Sequence, residues 1–168
     1  MFGWLESDDI AEGDYSQLLD VCFENAPYFS FIELDRELER GSGDDTLVQL
    51  QPFLLLKQPC VTRVPGYAYQ GVDDIAERWA PARYVYSCCE KASKVLKKNG
   101  DSLFCWSPRN GKPEDLCFYT EEKRALLYTV AHESICEINC NNDMFQQLLR
   151  CGQWSESCDS YFFQDVYF

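Results

Sequence analysis

Three apolar runs joined by short polar turns constrain the fold of this chain more than any other feature of its sequence. The runs cover residues 102–106, 116–120 and 125–131, and the connections are a turn-rich segment at 108–113 and a charged one at 121–124. Runs of this length, separated by turn chemistry, are typical of consecutive antiparallel strands. We therefore predict that residues 102–131 form a three-stranded meander.

The rest of the chain alternates helical and strand patterns. Apolar residues at helical spacing predict helices over residues 14–23, 31–40, 90–98 and 141–150. β-type runs predict strands over residues 46–57, where Pro52 indicates an edge position or a break, and over residues 81–87. The aromatic tail 161–168 is expected to pack on the body. No repeat or linker divides the 168 residues. We therefore expect a single α+β domain over residues 1–168, an antiparallel sheet with helices packed on one face.

The meander region also carries a resemblance to a known group of proteins. The stretches concerned are LFCW at 103–106, PEDLCFY at 113–119 and LYTVAHE at 127–133. With these stretches, residues 102–133 resemble small uncharacterised bacterial cytosolic proteins, some of which look like immunity proteins of polymorphic toxin systems. The resemblance implies a bacterial, cytoplasmic setting and supplies no catalytic residue.

Charge is distributed unevenly along the chain. The formal net charge is −13, and residues 1–45 contribute −11 of it, with thirteen carboxylates against only Arg36 and Arg40. Such a surface repels nucleic acid and anionic lipid, and it attracts basic partners. The hydrophobic content of 46% and the aromatic content of 15% exclude a disordered acidic tail protein. We expect an acidic globular protein that binds neither nucleic acid nor membrane.

The acidic quarter, residues 1–45, is the predicted contact surface for a basic protein partner, because aromatic residues are interleaved with its acids. The alternative is an acidic surface that serves only solubility. The residues predicted to touch the partner are Asp8, Asp9, Glu12, Asp14, Asp20, Glu24, Trp4 and Tyr15.

The single histidine, His132, is the main candidate for chemistry. Together with Cys136 and Cys140 it forms a His-x3-Cys-x3-Cys run, which would place zinc ligands on one face if the segment were helical. The residues before it have a strand pattern, and on a strand these steps are too long for one metal ion. We therefore interpret His132 as structural, and we predict no catalytic residue, no metal and no cofactor.

Adjacent acids offer a further route to acid–base chemistry. The pairs are Asp8-Asp9, Asp44-Asp45, Asp73-Asp74 and Glu114-Asp115. Adjacent acids usually point apart, whereas glycosidases bring their two acids together from distant positions. A structural interpretation is therefore favoured for these pairs.

The ten cysteines are expected to be mostly reduced thiols. The N-terminus lacks the pattern of a signal peptide, and several cysteines lie inside apolar runs where a thiol acts as a small hydrophobe. The vicinal pair Cys88-Cys89 is interpreted in the same way.

These observations favour a cytoplasmic, non-enzymatic binding protein, an immunity-type inhibitor that occludes a basic toxin or nuclease. One alternative is a mimic of nucleic-acid charge from a phage or mobile element. The other is a small hydrolase or metal enzyme that uses His132, Glu133 and nearby thiols. The sequence identifies neither the partner nor the oligomeric state.

Overall fold

The computed structural model describes residues 2–6, 8–33, 45–59, 63–64, 67–68 and 82–157. The strands in these ranges are β1 (Phe2–Leu5), β2 (Tyr28–Glu33), β3 (Leu54–Pro59), β4 (Arg63–Val64), β5 (Tyr67–Ala68), β6 (Ala82–Ser87), β7 (Glu114–Tyr119), β8 (Ala125–Val130), β9 (Ile135–Asn139) and β10 (Trp154–Ser157). Eight of them form one antiparallel sheet with the spatial order β10-β1-β9-β8-β7-β2-β6-β3, and β4 pairs with β5. The α+β prediction is confirmed.

Helices cover one face of the sheet. They are α1 (Glu12–Asn25), α2 (Thr46–Leu50), α3 (Glu90–Asn99) and α4 (Asn142–Leu148). Their buried apolar side chains share one core with Phe29, Phe31 and Phe118 of the sheet. In the described parts of the chain, no helix has the length and apolar character that a membrane crossing requires.

The opposite face of the sheet is also buried at its centre. Cys117 and Tyr119 of β7 form a second cluster there with Ala125, Tyr128 and Val130 of β8. Every residue of β7 and β8 is buried. Strands that are buried on both faces read as continuous apolar runs, which is why both were evident in the sequence.

Most of the predicted elements are confirmed. The helices predicted over 14–23, 90–98 and 141–150 correspond to α1, α3 and α4, and the strands predicted over 81–87, 116–120 and 125–131 correspond to β6, β7 and β8. The tail 161–168 lies outside the described residues, as do Asp44 and the pair Asp73-Asp74.

The strand predicted over residues 102–106 is wrong. A 3-10 turn, Leu103–Cys105, occupies this position, and the third strand of the meander is β9 instead. The four residues Leu103–Trp106 are all buried, and periodicity alone does not separate a buried turn from a buried strand. The turn is held by the carboxylate of Asp9, which accepts a hydrogen bond from the N–H of Phe104 (3.1 Å).

Two further predictions need correction. Residues 31–33 belong to strand β2 rather than to a helix, and residues 34–40 lie outside the described residues. Residues 46–57 contain helix α2, then the 3-10 turn Gln51–Phe53, and only then β3. Pro52 marks this break, because proline is tolerated in the first turn of a helix and not in its interior.

Candidate functional site

The predicted contact residues lie mostly on α1 and on the segment that precedes it. Residues 2–33 contain eight carboxylates and no lysine or arginine. Within this segment the side chains of Asp8, Glu12, Asp14, Asp20 and Glu24 are exposed. The acidic charge of the first quarter is therefore displayed at the surface over this part of the chain.

Asp20 is the predicted contact residue with a cationic neighbour. Its Oδ1 lies 2.6 Å from the Nζ of Lys97, on the adjacent helix α3. Lys97 therefore neutralises Asp20 on the side of α1 that faces α3. Four further exposed acids among the predicted contact residues form no ion pair with the described residues, and we call them the acidic surface: Asp8, Glu12, Asp14 and Glu24.

Asp9 is an exposed acid with a structural task. Its Oδ1 accepts hydrogen bonds from the N–H groups of Ile10 (2.7 Å) and Phe104 (3.1 Å). These bonds connect the segment before α1 to the 3-10 turn before β7. Asp9 and Asp8 are adjacent aspartates that are both exposed, but only the side chain of Asp9 is shown to hold a turn of the fold.

Tyr15 does not belong to the predicted contact surface. Its side chain is only 1% exposed, and its hydroxyl accepts a hydrogen bond from the Nε1 of Trp106 at 2.8 Å. Burial raises the pKa of the Tyr15 hydroxyl well above its ordinary value. The prediction was wrong for this residue because an aromatic side chain between acids fits a core position as well as an interface.

Trp4 is 52% exposed, as predicted for a contact residue. A side chain at the preceding residue, Gly3, would point at Phe145 of α4, so position 3 faces the helices. Successive strand residues point to opposite faces, so Trp4 lies on the other face of the sheet. Trp4 therefore lies on the face of the sheet opposite to α1, the helix that carries Glu12, Asp14 and Glu24.

A second candidate site lies where β7 begins. Glu114 and Asp115 are its first two residues, and such neighbours on a regular strand point to opposite faces. Asp115 has a φ of 55°, in the left-handed region, and this conformation interrupts the alternation. His132 lies in the 3-10 turn Ala131–Glu133 that follows β8, and antiparallel pairing places the end of β8 beside the start of β7.

These three side chains, Glu114, Asp115 and His132, form what we call the carboxylate–histidine cluster. The Nδ1 of His132 lies 2.7 Å from Oε1 of Glu114, and its Nε2 lies 3.7 Å from Oε1 of Glu133. Oδ1 of Asp115 accepts a hydrogen bond of 2.9 Å from the N–H of Ala131. One potential metal-ligand atom from each member of the cluster lies within 4.8 Å of the others.

The cluster combines buried acids with an accessible imidazole. Glu114 and Asp115 are each 8% exposed, whereas the side chain of His132 is 37% exposed. Burial, together with the negative charge of Glu114, raises the pKa of Asp115 to about 8, and the opposing effect of Arg83 is smaller. At neutral pH the fold therefore favours the protonated, uncharged form of Asp115.

The cysteines do not join His132. Cys136 and Cys140 belong to the core on the helix-covered face, and the part of the chain that the structure describes contains no metal-ligand group with either of them. The eight described cysteines are free thiols, including Cys88 and Cys89. Burial raises the pKa of Cys117 to about 12 and that of Cys140 to about 11, which is the opposite of what an activated thiol requires.

Sequence reasoning identified the members of the carboxylate–histidine cluster separately but did not connect them. The predicted β7–β8 hairpin could have connected them, because Glu114 begins β7 and His132 follows β8, and these two positions lie at the same end of the hairpin. The left-handed backbone of Asp115 could not be predicted from the sequence. The sequence shows only that aspartate tolerates this conformation better than most residues.

Comparison with known proteins adds no identification, since neither a family model, nor a curated protein, nor a solved structure matches the chain.

Proposed function

We propose that this chain is a cytoplasmic binding protein of the immunity type, which inhibits a basic toxin or nuclease by covering its cationic surface. The observation that supports the proposal is the acidic surface, Asp8, Glu12, Asp14 and Glu24. These exposed acids lie in a segment without a lysine or arginine and form no ion pair with the described residues. The proposal assigns no catalytic step to this surface.

Electrostatic complementarity explains why such a surface suits an inhibitor. Enzymes that act on nucleic acids are basic because they bind phosphate groups. Opposite charge accelerates the encounter of two proteins and selects against acidic partners. The resemblance of residues 102–133 to immunity-type proteins supports the same setting from a different part of the chain.

Part of the acidic charge also stabilises the fold. Glu12 and Asp14 lie in the first turn of α1, where carboxylates interact favourably with the helix dipole. This effect does not account for Asp8, which precedes the helix, or for Glu24, which lies near its C-terminal end, where a negative charge is unfavourable. These two acids are therefore the strongest evidence for a role beyond helix stability.

The experiment is a growth assay with the product of the adjacent gene, since an immunity gene follows the gene of its toxin. Cells that express the neighbouring product should grow only when the wild-type chain is co-expressed. Neutralising the acidic surface with Asp8→Asn, Glu12→Gln, Asp14→Asn and Glu24→Gln should reduce this protection.

A matched control has the same change in net charge at four exposed acids elsewhere: Glu121→Gln, Glu122→Gln, Asp143→Asn and Glu156→Gln. It should protect as well as the wild-type chain. Equal protection by both variants would remove the acidic surface from the mechanism. A neighbouring product that does not impair growth would contradict the immunity-type function itself.

A further inference from the structure

The carboxylate–histidine cluster is not used by the proposed binding function, and its composition is that of a metal site. It offers two carboxylates and one imidazole, contributed by the start of β7 and the turn after β8. Imidazole together with carboxylate oxygens suits divalent ions such as Zn²⁺ and Mn²⁺, whereas Mg²⁺ and Ca²⁺ prefer oxygen ligands alone.

The ligand atoms are close enough to reach one ion after a small rearrangement of the side chains. Two ligand atoms that each lie about 2.0–2.2 Å from one ion are at most about 4.4 Å apart. The ligand atoms of the cluster already lie within 4.8 Å of one another. The 2.7 Å contact between His132 Nδ1 and Glu114 Oε1 is a hydrogen-bond distance, so these two atoms have to separate slightly for both to bind the ion.

The surroundings supply part of the second shell that metal ligands require. A histidine ligand usually donates its other ring N–H to a carboxylate, and a carboxylate ligand usually accepts a further hydrogen bond. Oδ1 of Asp115 accepts a hydrogen bond from the N–H of Ala131, and Oε1 of Glu133 lies 3.7 Å from the Nε2 of His132, just beyond hydrogen-bond distance. The exposed edge of His132 provides an entry path from solvent, whereas both acids are buried.

From this arrangement we infer that Glu114, Asp115 and His132 bind one divalent transition-metal ion, of the class of Zn²⁺ or Mn²⁺, with water completing its coordination. His132 ligates through Nδ1, which faces Glu114, and its proton is then carried on Nε2 toward Glu133. The ion complements two buried carboxylates and ties the start of β7 to the end of β8. This metal site shares no residue with the acidic surface. The proposal of metal binding and the proposal of partner binding can therefore fail or succeed separately.

The test is a titration of the chelator-treated protein with Mn²⁺, followed by the paramagnetic resonance signal of the unbound ion. Mn²⁺ is chosen because it prefers oxygen and nitrogen ligands, so the cysteines do not compete for it. We expect one ion per chain, with an affinity reduced about tenfold or more in Asp115→Asn and in His132→Asn. The control Glu121→Gln removes an exposed acid from the β7–β8 turn and should bind as the wild type does.

A second measurement needs no variant and so does not depend on whether a variant folds. Because His132 is the single histidine of the chain, its ring nitrogens give one set of ¹⁵N resonances in the intact protein. Addition of Zn²⁺ should shift the Nδ1 resonance and leave the proton on Nε2. The inference is overturned if these resonances do not change, if no saturable binding occurs below about 1 mM, or if Asp115→Asn binds Mn²⁺ as tightly as the control.

Discussion

At the scale of single residues, Asp115 is unusual because a strand position that is buried normally holds an apolar residue with extended backbone. It is a buried carboxylate on a strand, it has a φ of 55°, and it lies beside a second buried acid. Burial and the charge of Glu114 raise its pKa to about 8. A residue that is held in an unfavourable protonation state by its neighbours costs stability at neutral pH, and such residues are concentrated at functional sites.

The first prediction concerns the pH dependence of stability. The folded-state pKa of Asp115 lies above the ordinary value, so the folded form retains a proton that the unfolded form releases as the pH rises from about 4 to about 8. Stability therefore falls with rising pH across this window. The variant Asp115→Asn keeps an acceptor for the N–H of Ala131, tolerates left-handed backbone, and removes this titration.

The measurement is urea unfolding of both proteins with a chelator present. We expect Asp115→Asn to be more stable than the wild type at pH 8 by about 1–3 kcal/mol, and we expect this difference to shrink at pH 5. Glu114, Glu133 and Arg83 act on Asp115 and are present in both proteins. A difference that is the same at both pH values would show that Asp115 ionises normally in the fold.

At the scale of secondary structure, the sequence predicted the strands that are buried on both faces and the amphipathic helices. In α1, Tyr15, Leu18, Leu19 and Cys22 follow the helical repeat and are buried. The turn Leu103–Cys105 was mistaken for a strand, because the hydrogen bonds that hold it run to distant residues: the N–H of Phe104 donates to Asp9, 95 positions earlier in the chain, and the N–H of Leu103 donates to the carbonyl of Ile10. Tertiary hydrogen bonds of this kind leave no periodic pattern in the sequence.

The second prediction tests the hydrogen bonds to Asp9 with two adjacent acids. Asp9→Ala removes the acceptor of the N–H groups of Ile10 and Phe104 and should destabilise the fold by about 1–2 kcal/mol. Asp8→Ala makes the same change in charge at an exposed side chain and should change stability by less than about 0.5 kcal/mol. Unfolding in urea measures both, and equal losses would mean that Asp9 does not hold the turn Leu103–Cys105.

At the scale of the whole molecule, the two candidate sites differ in how far the sequence could predict them. The acidic surface was visible as a concentration of charge, although the sequence could not show that Tyr15 is buried or that Trp4 lies on the opposite face of the sheet. The carboxylate–histidine cluster was not predicted as a unit. His132 lies 17 residues after Asp115, and the two meet only through the β7–β8 hairpin and the left-handed backbone of Asp115.

The acidic surface and the carboxylate–histidine cluster also differ in how they respond to salt. Exposed acids interact with a partner over a distance of roughly the Debye length, which is about 10 Å at 0.1 M salt. Buried ligands at contact distance are screened much less. Salt dependence therefore reports on the acidic surface without interference from the cluster.

The most direct test of the central claim is the rate of association with the adjacent gene product, measured at low and at high salt. For the wild-type chain we predict fast association that slows with salt. For the variant with Asp8, Glu12, Asp14 and Glu24 neutralised we predict slower association with a weaker salt dependence, because charges at the rim of an interface act mainly on the association rate. The matched control, neutralised at Glu121, Glu122, Asp143 and Glu156, should behave as the wild type does. An association rate that is the same in all three proteins at both salt concentrations would contradict the account.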